Sequence, residues 1–204
     1  AQADGLTIAA FTARRDPRDA LIGLPLVDLP VGATVATGSV RRQAQLTVLR
    51  PDLNFVELRG NIHTRLSKLP EGGSLVMAMA ALEILGLTDR VAEALPVEVF
   101  VPAPGQGCVA VECRVDDAAT LELLAAVDHG PTRIAVEAER AFLAELGTGC
   151  SLPVGAHSDG ATLTGFLADP ASGRTVTRAA LLGEQQTSAA AALARSINED
   201  LQAP

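Results

Sequence analysis

Short apolar segments alternate with segments of helical spacing in the first half of the chain. On the first of these helices Val40, Ala44 and Thr47 fall on one face, as in an amphipathic helix. Short apolar strands that alternate with helices indicate parallel strands in a sheet covered on both faces. The pattern therefore predicts an α/β domain over residues 15–97. Strand and helix are predicted in turn at residues 33–37, 40–49, 54–58, 61–69, 74–78 and 79–86.

The segments on either side of this alternation are less regular. Residues 6–13 are β-like, residues 87–96 have the pattern of one more short helix, and residues 99–107 form a connection rich in proline and glycine. A strand at 108–114 and a helix at 116–127 are predicted to follow.

The last third of the chain changes to an antiparallel pattern. Pro131 suits the first turn of a helix that runs to residue 146. Apolar and polar residues then alternate between turn signals, and an alanine-rich helix at 187–201 closes the chain. We expect a separate, small α+β domain with an antiparallel sheet over residues 129–204. Its strands are predicted at residues 155–159, 161–169 and 174–182.

Composition narrows the classes of function. The 204 residues carry 16 Lys and Arg against 24 Asp and Glu, a net charge of −8, and there is no Trp or Tyr. A chain this acidic repels the phosphates of nucleic acids and of membrane surfaces. No apolar run approaches the roughly 20 residues that span a bilayer. A cytoplasmic protein that binds neither nucleic acid nor membrane is expected, and any anion site must be a local arginine cluster.

Arginines stand at two successive strand-to-helix turns of the predicted sheet. Two of them occupy the first turn of a helix, where the macrodipole disfavours cations. Because the carboxyl ends of parallel strands meet at one edge of a sheet, these side chains are expected to share a crevice. The cluster predicts a site for carboxylates or phosphates, and solvated surface arginines are the alternative. The arginines are Arg41, Arg42, Arg59 and Arg65, with Thr37, Ser39, Gly60 and Asn61 beside them.

The three cysteines do not suggest a disulfide framework, because their number is odd. Cys150 lies in the glycine-flanked segment GTGCSLPVG, where a thiol could be a nucleophile, an attachment point or inert. Cys108 and Cys113 are expected to point to opposite faces of one strand and to serve packing. The isolated histidines lack the spacing of metal ligands, so no metal site is predicted.

Several motifs, taken in order, resemble one enzyme family. They are DPRDA, TGSVRRQAQL, ELRGNIHTRLSKL, GQG, ECR, AERAFL and GCSLPVGA. The series is similar to porphobilinogen deaminase, also called hydroxymethylbilane synthase, closely over residues 5–155 and loosely beyond. The resemblance implies a monomer of three domains, the first two like the lobes of type-2 periplasmic binding proteins. Residues 1–14 and 98–128 would be the remnant of domain 1, 15–97 domain 2 and 129–204 domain 3.

The resemblance also implies a chemistry. The family is a transferase of porphyrin and heme biosynthesis that condenses four porphobilinogens, with loss of ammonia, onto a covalent dipyrromethane cofactor and releases hydroxymethylbilane. By motif, Cys150 would carry the cofactor through a thioether bond. On this interpretation the ligand is the counter-charge of Arg41 and Arg42. The carboxylates of cofactor and substrate would be bound by Thr37, Ser39, Arg41, Arg42, Arg59, Gly60, Asn61 and Arg65.

Three features depart from the family pattern. The N-terminal segment with the catalytic aspartate has no counterpart here, so domain 1 is expected to be only partly present. Ile84 stands where the family has an arginine, and the loop at Gly72–Gly73 is short. No catalytic residue is identified, and the acidic candidates are Asp16, Asp19 and Glu57. The alternatives are a non-catalytic homologue that binds a tetrapyrrole polycarboxylate, or one half of a split enzyme with a complementing N-terminal segment.

Overall fold

The computed structural model describes residues 3–147 and 152–203. Its strands are β1 (Leu6–Phe11), β2 (Asp19–Gly23), β3 (Thr34–Ala36), β4 (Asn54–Val56), β5 (Ser74–Ala78), β6 (Val91–Leu95), β7 (Ala110–Arg114), β8 (Val154–Ser158), β9 (Thr162–Ala168) and β10 (Thr175–Leu181). Its helices are α1 (Val40–Leu49), α2 (Ile62–Leu66), α3 (Met79–Ile84), α4 (Ala118–Ala125), α5 (Gly130–Glu145) and α6 (Gln186–Gln202). No helix within the two described ranges is long and apolar enough to cross a membrane.

Five strands form one mixed sheet in the order β4–β3–β5–β2–β6. Strand β3 is parallel to β4 and β5, whereas β2 is antiparallel to β5 and β6. The carboxyl ends of β3, β4 and β5 and the amino end of β2 consequently meet at one edge. This sheet confirms the predicted lobe with a parallel or mixed sheet.

Alternating side chains of β2 are buried on both faces of this sheet. Leu21 packs with Val35 and Val76 on one face. Ile22 packs with Leu75 on the other. A strand buried on both faces needs an apolar residue at nearly every position, which is why these strands are short continuous apolar runs in the sequence.

The predicted helix over residues 87–96 is wrong. Thr88–Arg90 forms a short 3₁₀ helix, and Val91–Leu95 is the edge strand β6, paired with β2. Alanine, glutamate and leucine favour helices, but pairing with a buried strand outweighs local preferences of a few tenths of a kcal/mol per residue. The Glu93 carboxylate also accepts a hydrogen bond from the Leu26 N–H at 2.7 Å, which ties the strand to the loop after β2.

The last third of the chain forms a separate antiparallel sheet in the order β10–β9–β8. Helices α5 and α6 pack on it, and Phe142, Leu163 and Ile197 are fully buried in the shared core. This confirms the predicted second unit with an antiparallel sheet. Strands β1 and β7 pair in a third, two-stranded antiparallel sheet beside α4. The bounds given above for the three domains stay predictions.

The segment between β6 and β7, residues 96–109, is called the connector here, and it joins the two larger sheets. The Gln45 side chain donates to the Val101 carbonyl at 3.0 Å and accepts from the Val101 N–H at 2.6 Å. Val101 in turn packs against Phe166 of β9. Arg14, which follows β1, forms an ion pair with the buried Glu139 carboxylate of α5 at 2.5 Å. Helix α1, the connector and the antiparallel sheet therefore pack against one another.

Gly165 on β9 is expected to tolerate no side chain. A Cβ atom there would lie 2.5 Å from two ring carbons of Phe142 and 3.0 Å from Ile197 Cδ1. Gly165→Ala should therefore lower the free energy of unfolding by about 1–3 kcal/mol, the usual cost of overpacking a core. Urea denaturation followed by far-UV circular dichroism measures the change.

Gly130→Ala is the matched control for this substitution. A Cβ atom at Gly130 meets nothing within 4 Å, and the residue opens α5. The change should be neutral or should stabilise the protein by up to about 1 kcal/mol, because alanine restricts the unfolded chain. Equal losses of stability in the two variants would contradict the packing argument.

Candidate functional site

The buried carboxylate of Asp19 lies at the centre of a charged cluster, at the edge where the strands of the mixed sheet end. Asp19 begins β2, and its side chain has no exposed surface. Its Oδ2 atom accepts a hydrogen bond from Arg41 Nη2 at 2.8 Å. Its Oδ1 atom accepts from Arg42 Nη2 at 2.6 Å and from Arg42 Nε at 3.0 Å. One carboxylate thus holds both arginines.

The two arginines diverge from the first turn of α1 because they are consecutive in the helix. Arg41 extends toward the connector and donates through Nη1 to the Val101 carbonyl at 2.6 Å. Arg42 extends toward β5 and donates through Nη1 to the Val76 carbonyl at 3.2 Å. The expectation that a ligand is the counter-charge of Arg41 and Arg42 is corrected by the structure, since Asp19 is the ion-pair partner of both.

Burial and charge act in opposite directions in this cluster. Burial by itself raises the pKa of Asp19, but the attraction of Arg42 and Arg41 outweighs it and holds the pKa of this carboxyl below its ordinary value. Burial lowers the pKa of Arg41, and Asp19 opposes that effect. Two guanidinium groups and one carboxylate leave one net positive charge in a largely buried place. Such a charge is costly unless a further anion compensates it.

A glutamine from the connector completes the cluster. The Gln106 side chain donates to the Pro17 carbonyl at 2.7 Å and to Asp19 Oδ1 at 3.1 Å. Its Oε1 atom accepts a hydrogen bond from Arg41 Nη2 at 3.5 Å. The GQG motif therefore fixes the connector to the amino end of β2.

A cavity of about 570 Å³ lies beside this cluster, at the carboxyl ends of the parallel strands. Arg42 and Arg65 are the arginines that line it, and Arg65 Nε donates to the Gly60 carbonyl at 2.8 Å. Within the described ranges no carboxylate lines the cavity. Ile62, Met77, Ala81 and Leu85 line the same cavity with apolar surface. This lining suits a molecule that carries both anionic groups and apolar surface.

The structure brings some of the sequence-predicted residues to this cavity and places the others around it. Thr37 Oγ1 accepts from the Ser39 N–H at 3.2 Å, and Ser39 caps α1. Arg41 is only 5% exposed and does not line the cavity. Arg59 has 83% of its side chain exposed and pairs with Glu57 at 2.6 Å. The predicted residues that line the cavity are Arg42, Gly60, Asn61 and Arg65.

Gly60 and Asn61 have specific local roles at the start of α2. Gly60 has a φ of +123°, and a Cβ atom there would lie 2.8 Å from Thr64 Cγ2, so the turn requires glycine. Asn61 Oδ1 caps the helix by accepting from the Thr64 N–H at 2.9 Å.

One predicted site residue, Cys150, lies outside the described residues, and its role stays a prediction. Sequence reasoning missed the roles of Asp19 and Gln106 and the apolar lining. From the sequence, Asp19 was considered only as a candidate for the catalytic acid. The signal available for it was an aspartate that opens an otherwise apolar strand, DALIG.

The fold and the cavity together define a class of protein. A mixed α/β sheet with a cationic cavity at its strand ends is typical of proteins that bind a small anionic molecule. The family model described as porphobilinogen deaminase, dipyromethane cofactor binding domain, matches residues 1–122. The model of the porphobilinogen deaminase C-terminal domain matches residues 133–203. The chain belongs to the porphobilinogen deaminase family.

Individual relatives agree with this assignment. The porphobilinogen deaminase of Thermobifida fusca (strain YX) is 53% identical over 165 residues, which are 78% of this chain and 52% of the relative. That of Brevibacillus brevis is 46% identical over 177 residues, 82% of this chain and 57% of the relative. That of Geobacter sulfurreducens is 45% identical over 181 residues, 85% of this chain and 57% of the relative. The chain spans about half the length of the curated relatives it matches.

Removal of the Asp19 charge is expected to destabilise the protein. Asp19→Asn leaves two guanidinium groups without their carboxylate, which should cost about 3–5 kcal/mol in the free energy of unfolding at pH 7. The pKa of Asp19 is lowered by folding, so the stabilisation is present above the unfolded pKa and is lost as the pH falls through the folded one. Urea denaturation at pH 7 and at pH values below about 4 should show the difference from the unsubstituted protein shrinking in acid.

Asp16→Asn is the control for this prediction. Asp16 pairs with Arg18 in a partly exposed ion pair, so its loss should change the free energy of unfolding by about 1 kcal/mol or less. A cost for Asp19→Asn as small as that of the control would show that the buried cluster contributes little.

Proposed function

We propose that this chain acts in tetrapyrrole biosynthesis as a hydroxymethylbilane synthase. In this reaction four porphobilinogens are joined in turn to a dipyrromethane primer, with loss of ammonia at each step, and water then cleaves the tetrapyrrole from the primer to give hydroxymethylbilane. The observation that carries the proposal is the cavity lined by Arg42 and Arg65, with no described carboxylate, in a chain of the porphobilinogen deaminase family. Cationic and apolar residues in the lining of one cavity match a pyrrole ring that bears carboxylate side chains.

The cavity fits the dipyrromethane in both volume and chemistry. About 570 Å³ lies within the usual range for small-molecule and cofactor sites. When bound, the dipyrromethane supplies the pyrrole to which each new unit is joined. The guanidinium groups of Arg42 and Arg65 would hold its carboxylates, and Met77 and Leu85 would contact ring surface.

The smaller polar groups would add hydrogen bonds and orientation. The Asn61 side-chain nitrogen donates to no described residue, so it is available to a ligand carboxylate beside the Gly60 turn. Thr37 and Ser39 hold the start of α1, and with it the backbone of Arg42. Arg59 would meet the outer end of a longer chain of pyrroles, in keeping with its exposure.

Cys150 is proposed as the attachment point of the dipyrromethane through a thioether bond. The match of its segment GCSLPVGA to the family motif supports this role. The protein purified from cells that make tetrapyrroles should carry an added mass of two pyrrole units, and Cys150→Ser should lack it. Intact-mass spectrometry measures both, with Cys113→Ser as the control. An added mass that survives Cys150→Ser would contradict the assignment.

Porphobilinogen is the proposed substrate, and the proposed state is a monomer in the cytoplasm. Cys108 and Cys113 are free thiols, which suits a reducing compartment. A complementing N-terminal segment is proposed as the partner if the enzyme is split. The two-stranded sheet of β1 and β7 supports this possibility, because further strands could pair with its edges.

Binding of porphobilinogen tests the proposed site directly. Arg42→Gln and Arg65→Gln should each weaken binding by about 1.5–3 kcal/mol, because each removes a hydrogen bond between charged groups. Isothermal titration calorimetry at constant ionic strength measures the change.

Arg50→Gln is the matched control for these two substitutions. It removes the same charge at the far end of α1, where Arg50 pairs with Asp52. Equal weakening by all three changes would indicate a general charge effect and would contradict the site.

A further inference from the structure

The two consecutive arginines of α1 differ in their access to the cavity. Arg42 lines the cavity, whereas Arg41 is 5% exposed and does not line it. Arg41 is held by the Val101 carbonyl at 2.6 Å and Asp19 at 2.8 Å, and its guanidinium carbon lies 5.8 Å from the centre of the Phe100 ring. Because Arg41 is buried and does not line the cavity, a ligand there has little access to its guanidinium group.

Asp19 binds Arg42 in a way that leaves donors for a ligand. Its Oδ1 atom takes the side of the guanidinium formed by Nε and Nη2, at 3.0 and 2.6 Å. The Val76 carbonyl takes one N–H of Nη1. An arginine has five N–H donors, so two remain on the terminal nitrogens. One remaining N–H belongs to Nη1 and one to Nη2, and guanidinium N–H groups form strong hydrogen bonds with carboxylates.

We propose that Asp19 and Arg41 are positioning residues for the anion site: Asp19 orients Arg42, and Arg41 neutralises Asp19. The positive charge of Arg42 is thereby left for a ligand carboxylate. This inference rests on the proposed function only in its choice of ligand, a pyrrole with carboxylate side chains.

Charge explains why the pair is needed. A single arginine oriented by a single aspartate would form a neutral ion pair and would attract an anion weakly. A second guanidinium, buried on the far side of the same carboxylate, restores one net positive charge without occupying the cavity. Arg42 therefore lines the cavity in a fixed orientation, and the cluster to which it belongs carries one positive charge that no carboxylate of the cluster compensates.

Three variants separate this role from direct contact of Arg41 with the ligand. Arg41→Met leaves Asp19 and Arg42 as a neutral pair, so porphobilinogen affinity should fall by about tenfold or more. Arg41→Met combined with Asp19→Asn restores the net charge, and the asparagine oxygen can still accept from Arg42. This double variant should regain most of the affinity. Arg41→Met combined with Asp19→Ala has the same charge but no acceptor, so its affinity should stay low.

The affinities are measured by isothermal titration calorimetry with porphobilinogen on the full chain. Arg65→Met, alone and added to the double variant that carries Asp19→Asn, is the control: because Arg65 lies outside the cluster, it should weaken binding to the same extent in both backgrounds. If the double variant that carries Asp19→Asn binds as weakly as Arg41→Met alone, Arg41 contacts the ligand and the proposal is overturned. Rescue by the double variant that carries Asp19→Ala would overturn the orienting role of Asp19.

A second measurement does not depend on the ligand. The Nε proton of Arg42, assigned by its absence in Arg42→Lys, should exchange slowly in ¹H–¹⁵N spectra because it is bonded to Asp19. It should remain slow in Arg41→Met and exchange fast in the double variant that carries Asp19→Ala. If the unsubstituted chain does not bind porphobilinogen, the proposed function fails, while these exchange rates still decide the positioning of Arg42. Fast exchange in the unsubstituted chain would refute that positioning.

Discussion

The ion cluster in which one buried carboxylate holds two arginines is the constraint on which the site depends. Asp19 connects the amino end of β2 to helix α1, and through Gln106 it also connects to the segment between β6 and β7. Removal of a charge from such a cluster costs more than a surface ion pair contributes, because the remaining groups stay buried. The arrangement of the arginines is therefore enforced by the stability of the folded protein, whether or not a ligand is bound.

The direction of one strand makes this cluster possible. Strand β2 is antiparallel to β5, with Asp19 opposite Ala78, so its first residue lies where β3, β4 and β5 end. A parallel β2 would place the aspartate at the opposite edge of the sheet, far from the first turn of α1. The reversal of one strand thus brings a carboxylate to the edge at which α/β sheets bind their ligands.

The regular parts of the fold could be predicted from the sequence, and so could four of the residues that line the cavity, Arg42, Gly60, Asn61 and Arg65. The helix over 40–49 and the strand over 74–78 were predicted with the bounds observed, because their periodicity and flanking residues agree. Strands β2 and β6 are not apparent from the sequence, since β2 opens in a polar run that resembles a loop and four of the five residues of β6 are alanine, glutamate or leucine, which favour helices. Arginines near strand ends can be recognised in a sequence. The pairing of Arg41 with Asp19, 22 positions earlier in the chain, cannot be recognised in the same way. Only the strand order reveals that partner.

The mixed lining of the cavity, cationic and apolar, limits what can occupy it. An inorganic anion would satisfy Arg42 and Arg65 but would leave the apolar surface of Met77 and Leu85 in contact with water. A nucleic acid would meet the repulsion of a chain with a net charge of −8. An apolar ring that bears carboxylates satisfies both kinds of lining, since its charge meets the guanidinium groups and its ring covers apolar surface. The local excess of positive charge therefore selects for anionic groups, and the apolar residues of the lining select for the ring that carries them.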